Sequence, residues 1–529
     1  MQNKKMKTVM QGAFILTIAS LVAKVLSAIY RIPLQNLVGN TGFYVYQQIY
    51  PIYGIGITFA LSGFPVFISK LIAEQDSEAQ KVKVARQSFL ILGLISLALV
   101  VFLLIGAPEI AHGMGDSGLT PIIRCVSFMF VFMPFLAVGR GYYQGVFQMV
   151  PTARSQIMEQ VVRVAVIIGV AYTAAHQNWD VYKMGTWAMS GAVIAAVVST
   201  LYFLRLFRVK IFAPIQGLSR QPLISGSYGK LTKRFFVEGG TICLFAAIII
   251  LLQLIDSFSV KNGLVAQGLS NGAAKSLKGV YDRAQPLVQL GLVIATSFST
   301  TLLPSLTKAV QNRNQYDFKR TAQSMFHICL AISTAATVGM VTLLPQINQI
   351  LFGNTEGTMA IQIYVVAVIL ASLIATYNSV LQSLNIFRPA IFAFTIGLVV
   401  KLALNQIAVV KYGIDGASWV TVLSLAVILG CMQVRIPAYL KGKLHLGWQF
   451  FGKLTVASLV MVVSVTLMRW GLLSLLPDLN RIGLSLVVIV IVLVGILVFA
   501  TMSIELRLFT IREWLTIPYG KKLLKKLIK

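Results

Sequence analysis

The stretch FVEGGTICLFAAIIILLQLIDSFS, residues 236–259, decides the fold. About 20 predominantly apolar residues cross a bilayer as one helix, and this run meets that length with few charges. The bilayer core offers the backbone no water, so a crossing segment must bond its own peptide groups, as a helix does. The run also carries a carboxylate, Asp256, which is costly in hydrocarbon unless it is compensated or used.

Comparable runs recur along the whole chain. Of its 529 residues 57% are hydrophobic and 12% charged, and the mean hydropathy of +0.80 lies outside the range of soluble domains. Fourteen spans are expected, near 9–33, 44–69, 87–108, 119–144, 156–176, 184–206, 236–259, 281–304, 322–344, 358–384, 390–410, 414–437, 450–470 and 482–503. The fold class is therefore an all-α polytopic membrane protein. Lys and Arg concentrate in alternate loops, with Arg140 and Arg154 counted in one of them, which places both termini on the cytoplasmic side of a bacterial membrane. The basic start and first apolar run lack a small-residue cleavage site, so the first segment is expected to be a retained helix.

The net charge of +29 does not point to nucleic acid, because the bases alternate with spans and do not cluster on one solvated face. Cys125, Cys243, Cys329 and Cys431 lie far apart and read as small buried hydrophobes. There is no Walker A sequence, no HExxH, no GxSxG and no Cys/His metal spacing. No catalytic residue, metal or bound cofactor is expected, and any driving force would come from a sodium ion, a proton gradient or the membrane potential.

The halves of the chain resemble each other. Gln144, Pro151 and Arg163 recur at the same spacings as Gln382, Pro389 and Lys401, and Tyr46 to Pro51 matches Tyr281 to Pro286, at an offset near 235 to 238 residues. Two six-helix lobes related by a parallel repeat follow, able to rock about a central site. The expected partition is residues 1–207 for the first lobe, 208–235 for a cytoplasmic linker, 236–440 for the second lobe, 441–505 for two extra spans and 506–529 for a basic amphipathic tail. That tail, with Trp514 and five closing lysines, is suited to anionic inner-leaflet lipids.

Five bases, Lys24, Arg31, Arg163, Arg283 and Lys401, fall inside apolar stretches, and such residues usually line a wet cavity or meet an ion. Their surplus over carboxylates points to an anionic substrate. Lys24 and Arg31, seven apart, fall on one helix face as a phosphate clamp, unless Arg31 snorkels to the interface. Arg283 follows Asp282 and either faces the cavity or is neutralised by a neighbouring acid. Glu159 and Arg163, at i and i+4, are expected to pair. Asp256 either carries a coupling ion or balances a cavity base.

The runs AKVLSAIYRIPLQNLVGNTGFYVYQQIYPIYGI, RGYYQGVFQMVPTARSQIMEQVVRV and YDRAQPLVQLGLVIATSFSTTLLPSL resemble the stage V sporulation protein B branch of the multidrug/oligosaccharidyl-lipid/polysaccharide flippase superfamily, related to the MurJ-type lipid II flippases. The resemblance implies paired six-helix lobes around a cationic cavity and an apolar groove for a polyprenyl tail at spans thirteen and fourteen. It places Lys24 where MurJ-type sequences have a cavity arginine, Tyr30 or Arg31 near the next, and Asp282 with Arg283 on their Asp-Arg pair. The second span lacks the arginine of that family, and Gly42 replaces an expected acid. In some relatives a sodium site implies roles for Asp256, Asn405 and Thr421.

The leading reading is a flippase moving an undecaprenyl-diphosphate-linked precursor, lipid II or a related lipid-linked anionic saccharide, to the outer leaflet for peptidoglycan or polysaccharide synthesis and cell shape. Cell-wall synthesis proteins are candidate partners. The alternatives are a cation-coupled small-molecule exporter of the same superfamily, and a non-transporting membrane enzyme or scaffold. The enzyme reading is the weaker, because Glu109, Asp116, Asp180, Glu356, Asp415 and Asp478 scatter over separate outer loops.

Overall fold

Two glycines break long helical runs of the chain. Gly39 at φ 69° and Gly413 at φ 59° take up left-handed backbone inside otherwise continuous helical runs, a conformation glycine adopts without steric cost. In the computed structural model, which describes residues 2–207, 227–384, 386–437, 447–476 and 479–516, every regular element among the described residues is helical. Eleven described helical stretches are long and apolar enough to cross a membrane. Two of them, Ile15–Ala73 and Arg388–Arg435, each hold two of the expected spans, and Gly413 separates the pair in the second.

The chain packs as two compact units, Met1–Asp282 and Arg283–Lys529. The first contains α1 (Gln2–Ile29), α2 (Arg31–Thr58), α3 (Phe64–Ala73), α4 (Glu78–Gly113), α5 (Thr120–Ser127) and α6 (Met129–Gly145). It continues with α7 (Met149–His176), α8 (Val181–Phe207), α9 (Ser227–Arg234), α10 (Gly240–Ala266) and α11 (Asn271–Asp282). Here α1 lies on α7, α7 on α8, α3 on α6, and both α10 and α11 on α2. Gly145 permits the α3–α6 approach, since a Cβ there would fall 2.6 Å from the side chain of Ile72. Single π-turns, Phe59–Gly63 and Phe235–Gly239, precede α3 and α10.

The second unit contains α12 (Ala284–Gln311), α13 (Gln315–Phe352), α14 (Thr358–Val365), α15 (Ala367–Ser383) and α16 (Arg388–Arg435). After them come α17 (Trp448–Leu475), α18 (Arg481–Glu505) and the short α19 (Ile511–Thr516). The α17–α18 pair packs on α13 through Leu343, Met461, Val465 and Ile491. Arg481 adds bonds to the carbonyls of Ile350 (2.6 Å) and Leu351 (2.8 Å) in the last turn of α13, where helix geometry provides no i+4 donor.

The parallel repeat is visible in the element boundaries. Thr120 and Thr358, Met129 and Ala367, and Gly145 and Ser383 are each 238 residues apart, so α5–α6 and α14–α15 share their lengths and their break. Arg163 and Lys401 keep that register, whereas the match of Tyr46–Pro51 to Tyr281–Pro286 lies three residues out of it. Most of the expected linker, residues 208–226, and the lysine-rich end, 517–529, lie outside the described residues.

Candidate functional site

The first unit brings two of the expected bases together. Arg31, at the start of α2, is 1% exposed, and its guanidinium stands 4.0 Å over the ring of Tyr50. Arg163 of α7, also 1% exposed, lies 5.0 Å from the ring of Tyr53 and 5.7 Å from that of Tyr30. Its Nη2 donates to Ser27 Oγ at 3.2 Å and to Gln160 Oε1. Tyr30 and Tyr46 join hydroxyls at 2.8 Å behind them. Nε and Nη2 of Arg31 and Nε of Arg163 meet no hydrogen-bond acceptor among the described residues.

Aromatic faces attract a cation but accept N–H bonds only weakly, so these three guanidinium nitrogens remain open to a stronger acceptor. Two buried cations with open donors fit an oxyanion, and arginine's planar fork matches phosphate oxygens. Lys24 does not share this setting. The backbone stays helical through Tyr30 (φ −60°, ψ −22°), whose amide bonds the Leu26 carbonyl and whose carbonyl takes the Leu34 amide, yet Lys24 is exposed where Arg31 is buried.

The expected Glu159–Arg163 pair is also replaced. Glu159 takes Arg140 Nη2, and the same guanidinium donates to Ser155 Oγ (2.9 Å from Nη2 and 3.2 Å from Nε) and to the carbonyl of Ala60 (3.1 Å). The i, i+4 spacing allowed one partner, but α6 brings a second base to the same carboxylate with a complete set of acceptors. Arg140, assigned from sequence to a loop, is 0% exposed inside α6. Its loop placement came from counting charge along the chain, which cannot see that Glu159 neutralises it.

The acids of this unit are held by local donors. Tyr281 Oη donates to Asp256 Oδ2 at 3.0 Å, and Lys278 Nζ reaches Asp282 Oδ1 at 2.5 Å. Asp282 therefore pairs with Lys278, one turn earlier on α11. Sequence reasoning missed Lys278, although its i, i+4 spacing to Asp282 was the available signal. Asp116, expected on an outer loop, is buried and binds Lys275 (3.0 Å), Tyr44 (3.1 Å) and Tyr182 (2.9 Å).

The remaining candidates belong to the second unit. Arg283 donates to Asn354 Oδ1 (2.6 Å) and Asn348 Oδ1 (3.4 Å) and lies 5.1 Å from the ring of Phe352. Lys401 of α16 is fully buried and bonds Thr421 beyond the Gly413 break, while Asn405 sits one turn after it, also buried. Asp256 is in one unit and Asn405 with Thr421 in the other.

Comparison with known proteins agrees with this fold. Residues 9–310 match the family model described as polysaccharide biosynthesis protein. The chain is 36% identical over 517 residues to the uncharacterized membrane protein YabM of Bacillus subtilis (strain 168), covering 97% of this chain and 96% of that one. It is 26% identical to the lipid II flippase MurJ of the same organism, over 88% and 89% of the two chains. A solved structure of a lipid II flippase MurJ in an inward closed conformation superposes with a TM-score of 0.69 at 15% identity, covering 93% of this chain and 99% of that one.

Proposed function

Because the chain belongs to the polysaccharide biosynthesis protein family, within the multidrug/oligosaccharidyl-lipid/polysaccharide flippase superfamily, we propose that it flips an undecaprenyl-diphosphate-linked cell-wall precursor from the inner to the outer leaflet by alternating access. Lipid II, or a related lipid-linked saccharide, is the substrate. The observation that carries the reading is the pair Arg31 and Arg163, buried among tyrosines with guanidinium donors open. A diphosphate supplies the missing acceptors, while the prenyl chain stays in lipid. The pair is closed over in this structure, so the helices that carry it, α1, α2 and α7, must part to admit substrate.

A multi-pass exporter of organic cations would place carboxylates where this chain places arginines, so the charge of the site favours the flippase. Coupling to a sodium or proton gradient, with Asp256 as the responsive group, belongs to the same proposal. The deciding experiment depletes the protein and measures which leaflet holds lipid-linked precursors. Accumulation on the inner leaflet supports transport; unchanged sidedness with impaired polymerisation supports the enzyme or scaffold reading instead.

A further inference from the structure

A separate cavity of about 260 Å³ opens at one end of the first unit, where the α3–α4 and α6–α7 connections meet. Its chemistry is unlike that of the arginine pair. Gln75, Glu78, Lys81, Tyr142 and Gln148 line it, with the ring of Phe147 at its rim. Glu78 is held in place from two sides, Oε1 by Lys81 Nζ at 3.0 Å and Oε2 by Tyr142 Oη at 3.3 Å.

Phe147 is the unusual member. It stands at φ 60°, in the left-handed region that a bulky side chain rarely enters, and its phenyl group remains 54% exposed. The left-handed turn closes α6, with the Phe147 amide on the Gln144 carbonyl at 3.0 Å and the Gln148 amide on the Tyr143 carbonyl at 2.8 Å, and it holds a half-exposed ring beside the cavity, a candidate for function. The cavity itself is fixed by the close contact of Gly145 with Ile72, which seats the α6–α7 turn against α3.

We propose that this cavity binds one pyranose ring. Hydroxyl and acetamido groups both donate and accept, and the lining offers a carboxylate that accepts, an ammonium that donates and two carboxamides that do both. The Phe147 ring offers an apolar face to the C–H side of the sugar. The volume lies below the roughly 300–1,000 Å³ of sites for larger ligands, so a single ring fits and an oligosaccharide does not. Lys81, Lys83 and Arg86 follow directly in sequence, which places this mouth on the expected cytoplasmic side, where precursor headgroups arrive. The inference rests on the flippase reading for the source of the sugar and on the cavity alone for its binding.

The test uses saturation-transfer NMR on the full chain in detergent micelles, with free N-acetylglucosamine as probe and a short-chain lipid-diphosphate sugar as competitor. Saturable transfer to the ring protons is expected, with at least a fivefold loss in Phe147→Gly and in Gln148→Ala. Glycine adopts φ 60° freely, so Phe147→Gly is expected to melt no lower than the parent. Displacement by the lipid-linked sugar identifies the precursor headgroup as the source; binding without displacement assigns the cavity to free sugar. No transfer in the parent, or undiminished transfer in Phe147→Gly, overturns the sugar site even if the protein flips lipid. Sugar binding by a protein that moves no lipid would overturn the flippase reading and leave the cavity standing.

Discussion

Two buried arginines contact the same helix, α7, and are treated in opposite ways. Arg140 reaches Glu159 and Ser155 there, and with the Ala60 carbonyl its charge and its donors are both satisfied. Arg163, one turn further on α7, has Gln160, Ser27 and aromatic faces in place of a carboxylate, as Arg31 has Tyr50. The contrast separates a base whose donors are all taken from bases that keep donors open, the feature on which the proposed substrate contact rests. Burial alone does not distinguish them, since all three are about equally inaccessible; the acceptor count does.

The largest effect is expected where the paired site is broken. Glu159→Ala strands the Arg140 charge in the packed interior and should cost about 3–5 kcal/mol, read as a fall in the melting temperature of the purified protein. A stability change below about 1 kcal/mol would erase the structural half of the comparison.

The functional half predicts the reverse pattern. Arg31→Met removes a cation whose donors are open, so the melting temperature should hold or rise. Transport or complementation should fall by about 10- to 100-fold, the loss expected for a charge-assisted hydrogen bond of about 1.5–3 kcal/mol to substrate. Arg163→Met should behave alike, and Arg31→Lys should retain part of the activity. Normal transport in the double methionine variant would show that the pair serves packing.

A smaller effect sharpens the contrast between bases and acids. Asp256→Asn keeps an acceptor for Tyr281 and removes the charge, so substrate binding should persist while the response to sodium or proton gradients disappears in a reconstituted flipping assay. Full gradient dependence in this variant would assign Asp256 to structure.

The smallest effect concerns the docked tail. Burial would raise the carboxyl of Glu513, but hydrogen bonds from His327 at 2.9 Å and from the Thr510 amide at 2.7 Å outweigh it and hold it below the usual range. A depressed carboxylate contributes stability that is complete above its unfolded value, near pH 4.3, and is lost as the pH falls through the folded value. Trp514 is buried beside Glu513, so its fluorescence should report undocking of α19 only below about pH 4. Glu513→Gln should remove the transition; an unchanged transition would place its origin elsewhere.

The spans were legible because hydrophobic length is a local property, and they survive even where two of them share one helical run broken at Gly413. The repeat was legible through Gln144, Pro151 and Arg163, since residues that set a helix–turn–helix recur wherever the motif does. Partner choice was not. The spacing of Glu159 to Arg163 is a statement about one helix, and it lost to Arg140, which reaches the same carboxylate from another helix with more acceptors around it.

Sequence by itself determined that this chain spans a membrane many times, that it carries bases where bases are costly, and that its halves share a register. Each follows from transfer free energies read along a line. Only the tertiary structure decided which bases are neutralised, that Lys278 meets Asp282, that Arg31 is buried while Lys24 is exposed, and that Phe147 lines a polar cavity. Those outcomes depend on which acceptors distant helices bring within about 3 Å of a charge, a distance that sequence separation does not encode.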